Sequence, residues 1–205
     1  MEPRIFITSD THFGHDRDFL YGPRGFSSVK ESDEEIIRRW NSIVRPDDIV
    51  YLLGDVMLND NENGINCLSR LNGKIKLVFG NHDTDKRLML FDSLTEKYTY
   101  DDGRTALEWD RNKIQLMGWA TVLKYKKWRF YLSHHPTLTA NYDDGEKTPR
   151  QHLINLFGHT HQKEKFYEGN PYMYHVGLDS HNCYPVLLDD VIKDIVNEVN
   201  KKGAF

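Results

Sequence analysis

Five short apolar runs in this chain each end in a cluster of carboxylate, imidazole or amide side chains. Residues 4–9 run into Asp10-Thr11-His12, and residues 49–53 into Gly54-Asp55. Residues 75–79 lead to Gly80-Asn81-His82-Asp83, residues 129–133 to His134-His135-Pro136, and residues 153–157 to Gly158-His159-Thr160-His161. Runs this short, rich in β-branched and aromatic residues, suit buried strands. Polar groups just past five strand ends can meet only if those ends share one edge. In open α/β sheets that edge, beyond the carboxyl ends of the strands, is where ligands bind. The pattern therefore predicts five segments delivering their polar groups to one place.

The rest of the chain supplies the covering elements. Ser32 followed by Glu35 reads as a capping box, and Ile36, Ile37, Trp40, Ile43 and Val44 then recur at helical spacing. Residues 62–71 read as a second helix, stopped by Asn72-Gly73. A third is expected over 84–91. A fourth covers 189–200, with Val191, Ile192, Ile195 and Val199 on one stripe and acidic residues at its start. Residues 173–176 and 185–188 add two strands. The first half alternates strand and helix while the second is strand-rich, which predicts an α/β protein of mixed sheets covered by helices. The length suits a single domain over 1–205. Residues 97–120 read as an irregular insertion near the site, and 142–149 as an exposed loop. The segment from Lys124 to Arg129 reads as a hairpin turn with solvated lysines, a phosphate or nucleic-acid contact being the lesser alternative.

Charge argues against a chain built to grip nucleic acid, since 27 basic residues face 31 acidic ones for a net −4. Two cysteines, Cys67 and Cys183, read as unpaired thiols of a reducing compartment. No run approaches the roughly 20 apolar residues of a membrane span, and no signal peptide is visible. The expected location is the cytoplasm.

Spacing supports ligation. Asp10/His12 and His159/His161 are i, i+2 pairs, whose side chains share one side of an extended segment. Gly54, Gly80 and Gly158 would let the backbone turn where each strand stops. One such cluster alone is an ordinary surface turn; five in sequence are not. Their order resembles the calcineurin-like metallophosphoesterases, and specifically the small bacterial and phage branch. That family's signature of Asp-x-His, Gly-Asp, Gly-Asn-His-Asp/Glu, a His segment and Gly-His-x-His is matched from residue 10 to 161 with no motif missing. The resemblance implies a four-layer α/β/β/α sandwich. It also implies one divalent cation held by Asp10, His12, Asp55 and His161, and a second by Asp55, Asn81, His134 and His159. Asp55 would bridge the two, and His135 would pack beside or line the site. His82 would lie over the substrate as general acid, oriented by Asp83.

The residue types fit that chemistry. Two carboxylates against two divalent ions leave a charge of about +2, which favours a phosphate anion. A pair of ions can clamp phosphate and lower the pKa of a bridging water, whose hydroxide would attack in line while His82 donates to the leaving oxygen. Mixed nitrogen and oxygen ligands suit Mn, Fe, Zn, Co or Ni over Ca or Mg, with Mn favoured. His15 is a candidate substrate contact, and so is Arg24, whose guanidinium matches phosphate oxygens. Asp179, His181 and Asn182 read as loop groups, His152 and His175 as structural. The second motif, Gly54-Asp55-Val56-Met57-Leu58-Asn59-Asp60, departs from that of the Ser/Thr protein phosphatases. The expected substrate is a small phosphomonoester or phosphodiester, nucleotides included. A nuclease or nucleic-acid end-processing phosphatase is the alternative, and a non-catalytic interaction module the remote one.

Overall fold

Strands β1 (Ile5–Thr8), β2 (Ile49–Leu53) and β3 (Lys74–Val78) lie parallel and adjacent in the computed structural model, which describes residues 2–93 and 114–201. Ile5 pairs with Ile49, and Ile49 with Lys74, so the three strands end nearly level. β4 (Ile114–Gly118) extends the sheet beyond β3, and β9 (Val186–Leu187) closes it antiparallel to β1. The second sheet holds β5 (Ala120–Tyr125), β6 (Trp128–Ser133), β7 (Ile154–Phe157) and β8 (Met173–His175) in that order. Its first pair is an antiparallel hairpin and the others are parallel.

The described residues also include the helices α1 (Asp18–Tyr21) and α4 (Asp85–Ser93). Alternation along the strands sorts the core. Phe6, Val50, Leu52, Ile75 and Leu77 pack on Ile36, Ile37 and Trp40 of α2 (Val29–Ile43) and on Ile65 and Leu68 of α3 (Asn61–Ser69). Ile7, Tyr51, Leu53 and Val78 face the other way, into one cluster with Phe130, Leu132, Ile154, Leu156 and Tyr174 of the second sheet. The stripe Val191, Ile195 and Val199 of α5 (Leu188–Lys201) joins this inter-sheet core. Each such side chain removed from water contributes about 1.5–3 kcal/mol. The result is a mixed α/β fold with two facing mixed sheets, as expected.

Local details correct the sequence reading. α2 starts one turn earlier than expected: Ser28 is its cap, accepting the Glu31 N–H at 3.2 Å, while Ser32 is buried inside the helix. The sequence offers Ser-x-x-Glu twice in succession, and burial of the Ser32 turn selects the first. α3 is capped by Asp60, whose carboxylate accepts from Asn63 N at 2.9 Å. The stretch read as irregular over 97–120 lies outside the described residues up to 113; from 114 it forms β4, a bend at Trp119 and the start of β5. The hairpin expected near Lys124 is present, its two-residue turn formed by Lys126 and Lys127 at φ 45° and 70°, the primed geometry that matches strand twist. Lys126 is paired with Asp189 at 2.9 Å. No helix among the described residues is long and apolar enough to cross a membrane.

Candidate metal centre

The carboxyl ends of β1, β2 and β3 and those of β6, β7 and β8 meet at one edge. Ser9 bridges Gly177, joining the two sheets. The segments past β1 and β2 stay paired, with Asp10, His12 and Phe13 donating N–H to the carbonyls of Gly54, Asp55 and Val56 at 3.0–3.1 Å. The sequence placed the i, i+2 pairs on extended backbone, and here it differs from the structure. Asp10, His12, Asp55, His159 and His161 all have positive φ, between 49° and 67°. Asp and His tolerate this left-handed region better than most residues, yet it still costs about 1–2 kcal/mol each. These single left-handed residues, rather than strand pleat, turn the side chains inward.

The glycines divide by role. Gly54, at φ 83°, makes the turn that was expected. Gly158 has no such φ; it is glycine because a Cβ would overlap Ser9 Oγ and Asp10 Oδ2.

All seven expected ligands come together. Asp10, His12, Asp55 and His134 are buried, while Asn81 and His159 lie at the open side. The donor atoms of Asp10, His12 and His161 lie within 4.8 Å of one another, as do those of Asp10, Asp55 and His134. His134, His135 and His159 form a third such group, so His135, expected only as a neighbour, borders the cluster closely. His134 Nε2 is 3.3 Å from Asp55 Oδ2, 3.0 Å from Asn81 Oδ1 and 3.2 Å from His159 Nδ1. Its Nδ1–H donates to the Leu53 carbonyl at 2.8 Å, which turns Nε2 toward the cluster. Asp10 accepts from the Ser9 hydroxyl at 2.6 Å and from His159 N at 3.0 Å.

Charge is poised accordingly. Burial pushes the Asp10 carboxyl up and His12 well below the ordinary imidazole value. Burial would also raise Asp55, but its contact with His134 and the His82 N–H hold it below the usual carboxylate range. Burial would lower His134, yet the bond to Asp55 and the charge of Asp10 raise it to about 9. The residues fit divalent cations on one observation above all: both ring nitrogens of His12 are buried without a hydrogen-bond partner. Its Nε2 is 3.6 Å from Asp55 Oδ2 and 3.8 Å from Asp10 Oδ1, too far for hydrogen bonds. Donors around a cation with bonds of 2.0–2.2 Å lie about 3–4 Å apart.

Three expectations change. Asp83 does not orient the His82 ring: both of its oxygens accept backbone N–H groups, from Asp55, Val56 and Gly80 at 2.9–3.1 Å. His82 is placed instead by its own N–H, which donates to Asp55 Oδ1 at 2.9 Å, and by Arg87, which bonds its carbonyl. Its ring is 41% exposed, with Nε2 4.0 Å from Asp55 Oδ2. Arg24 is no phosphate clamp, because its side chain is 1% exposed and engaged with Asp179 and the Asp10 carbonyl. Asp179, read as a loop group, accepts from His161 Nδ1 at 2.9 Å. No local spacing marks Asp179; its only cue is that it follows β8, another strand reaching the same edge.

His15 does reach the site wall, its ring centroid 5.3 Å from that of His12, with burial lowering its pKa. His152, read as structural, is buried and stacked 3.5 Å over Tyr172, and His175 is buried with Nδ1 bonded to Ser180 Oγ at 2.8 Å.

Comparison with known proteins agrees with this geometry. The calcineurin-like phosphoesterase superfamily domain matches residues 4–178. An uncharacterized protein of Methanocaldococcus jannaschii is 30% identical over 196 residues, covering 93% of this chain and 90% of its own. The gene 66 protein of Mycobacterium phage D29 is 27% identical over 222 residues, covering 96% and 98%. A crystal structure of a protein of unknown function from Aquifex aeolicus, AQ665, shares the fold at TM-score 0.61 and 20% identity, over 94% of this chain and 99% of that one. The chain belongs to the calcineurin-like phosphoesterase superfamily.

Proposed function

We propose that this protein hydrolyses small phosphoesters with two divalent cations held between the strand ends. The carrying observation is the convergence of seven donors from five post-strand segments, among them His12, an imidazole buried with both nitrogens unpartnered. Asp10, His12, Asp55 and His161 would hold one cation and Asp55, Asn81, His134 and His159 the other, with manganese the favoured metal. Cations there supply Lewis-acid charge and lower the pKa of a bound water. The chain's own residues do the rest. His134 and His161 each keep Nδ1–H on a fixed acceptor, which presents Nε2 forward. His82, half exposed at the rim and anchored through its backbone, would hand a proton to a departing alkoxide. His15 borders the same opening and is assigned a substrate contact. Asp83 acts by holding the Asp55 and Gly80 backbone rather than by touching substrate.

Small substrates are favoured over nucleic acid. The basic hairpin at Lys126-Lys127 lies at the start of β6, while His134 follows its end. Six strand residues lie between them, so Lys127 and His134 stand about 22–24 Å apart. The test is hydrolysis of an aryl phosphomonoester and an aryl phosphodiester by metal-free protein with and without added manganese. Activity that needs manganese, is lost on chelation and falls in Asp55→Asn supports the reading. Equal rates for wild type and Asp55→Asn would sink it, and preferential cleavage of oligonucleotides would move the assignment to a nuclease.

A further inference from the structure

The two candidate cation sites are backed by different groups. On the Asn81 side, His134 gives its Nδ1–H to the Leu53 carbonyl, a neutral acceptor, at 2.8 Å. On the Asp10 side, His161 gives its Nδ1–H to the Asp179 carboxylate at 2.9 Å. Asp179 in turn is gripped by Arg24, with Nε donating to Oδ1 at 2.9 Å and Nη2 to Oδ2 at 3.1 Å. The same Nη2 reaches the Asp10 carbonyl at 2.8 Å, and Nη1 the Thr11 carbonyl at 3.5 Å. One guanidinium thus fixes the backbone of one ligand and, through Asp179, the ring of another. The Arg24 side chain is 1% exposed and that of Asp179 9% exposed, so this frame is built into the interior.

We infer that Arg24 and Asp179 are positioning residues that make the cation site of Asp10, His12, Asp55 and His161 the tighter of the two. This rests on the dinuclear reading proposed above. A carboxylate behind a ligating imidazole fixes the tautomer, aims the other nitrogen forward and raises its basicity. Here the forward atom is His161 Nε2, 3.9 Å from Asp10 Oδ1. The ring is 35% exposed, so without Asp179 it would have rotamer freedom to lose when a cation binds. Arg24 has a second effect. By engaging both oxygens of Asp179 it keeps that carboxylate behind the imidazole. Behind His134 the other site has only a neutral carbonyl, and Asp55 is the one carboxylate assigned to it, with Asp10 within 4.8 Å of its Asp55 and His134 donors.

Titration of metal-free protein with manganese, followed by calorimetry, tests the inference. The wild type is expected to take up two equivalents in two unequal classes. In the double variant Arg24→Met/Asp179→Asn both buried charges leave together, so neither is stranded. There the tight class should weaken by about 10–100-fold while the weaker class keeps its affinity. The melting temperature of the metal-free variant is read alongside. A pair with only a structural role would lower that temperature and leave both affinities unchanged, and that result overturns the inference, as do two equal classes in the wild type. Should the double variant not fold, nitrogen NMR of the zinc-loaded wild type decides: His161 must carry its proton on Nδ1, and a proton on Nε2 overturns the assignment. A wild type that binds fewer than two equivalents refutes the dinuclear reading itself, a failure visible before any variant is made.

Discussion

Replacing Asp83 by asparagine separates two roles that the sequence leaves tangled. Asp83 Oδ2 accepts from Asp55 N and Gly80 N, and Oδ1 from Val56 N, with the whole residue 1% exposed. The substituted amide would have the same shape but a single acceptor oxygen. With that oxygen facing Asp55 and Gly80, its NH2 faces the Val56 N–H, and a buried donor loses its acceptor at a cost of about 1–3 kcal/mol. The two remaining bonds lose their charge assistance, worth about 1 kcal/mol each. Against this, burial pushes the Asp83 carboxyl above the usual range, so removing the charge returns part of the loss. The net expectation is about 2–3 kcal/mol. For a protein of this size that lowers the melting temperature of the metal-free form by about 5–10 °C. Manganese affinity should fall as well, because the backbone of Asp55 and Gly80 is released. Thermal unfolding by circular dichroism reads the first effect and calorimetric titration the second. If Asp83 instead tuned the His82 ring, Asp83→Asn would melt like the wild type and shift only the pH–rate profile; that outcome refutes the argument.

Other expectations follow from the same contacts. His82→Ala should lower the hydrolysis rate by about 10²–10⁴ while metal content, measured by elemental analysis, stays at the wild-type level. The His134 imidazole is raised to about 9 in the metal-free protein, so below that pH a cation must displace its proton. Manganese affinity should therefore climb with pH from neutrality and level off near 9; calorimetry showing a flat profile over that range contradicts it. Asp48 is fully buried and accepts from Arg4 N and Arg45 N at 2.9 and 2.8 Å and from both guanidinium groups. Burial would raise it, but those donors hold it below the ordinary carboxylate value. Its contribution is then present above the unfolded value of about 3.9 and lost as pH falls through the lower folded one. Asp48→Asn should cost about 2 kcal/mol near neutral pH, and the gap to wild type in urea melts should close as both are acidified.

What the sequence carried and what it did not divides along physical lines. The ligands were legible because each follows a short apolar run directly, so local composition and chain order were enough. The left-handed residues that aim them were not, since Asp10 and His161 adopt φ values their neighbours impose. Arg24 and Asp179 were misread for a related reason. Their bond joins positions far apart in the chain, and neither carries a periodic signal. β4 and β5 escaped because their apolar residues are interrupted by Gln115, Gly118 and Thr121 instead of forming one compact run. Asp83 kept its place in the motif but not its role: a carboxylate beside a histidine in sequence proved to serve the backbone of the segment after β2 and of its own loop.

The level ending of β1, β2 and β3 also bears on which length changes the chain can absorb. The functional residues start within two or three positions of a paired strand residue, Thr8, Leu53 or Val78. One residue added at those junctions would carry a donor about 3 Å further from its paired strand end, and no side-chain adjustment could recover it. Lengthening the surface turn around Gly145 is a different matter: doubling a loop adds only about 0.6 kcal/mol of closure entropy. Spacing between motifs is therefore cheap to vary, while spacing from strand to motif is rigidly metered.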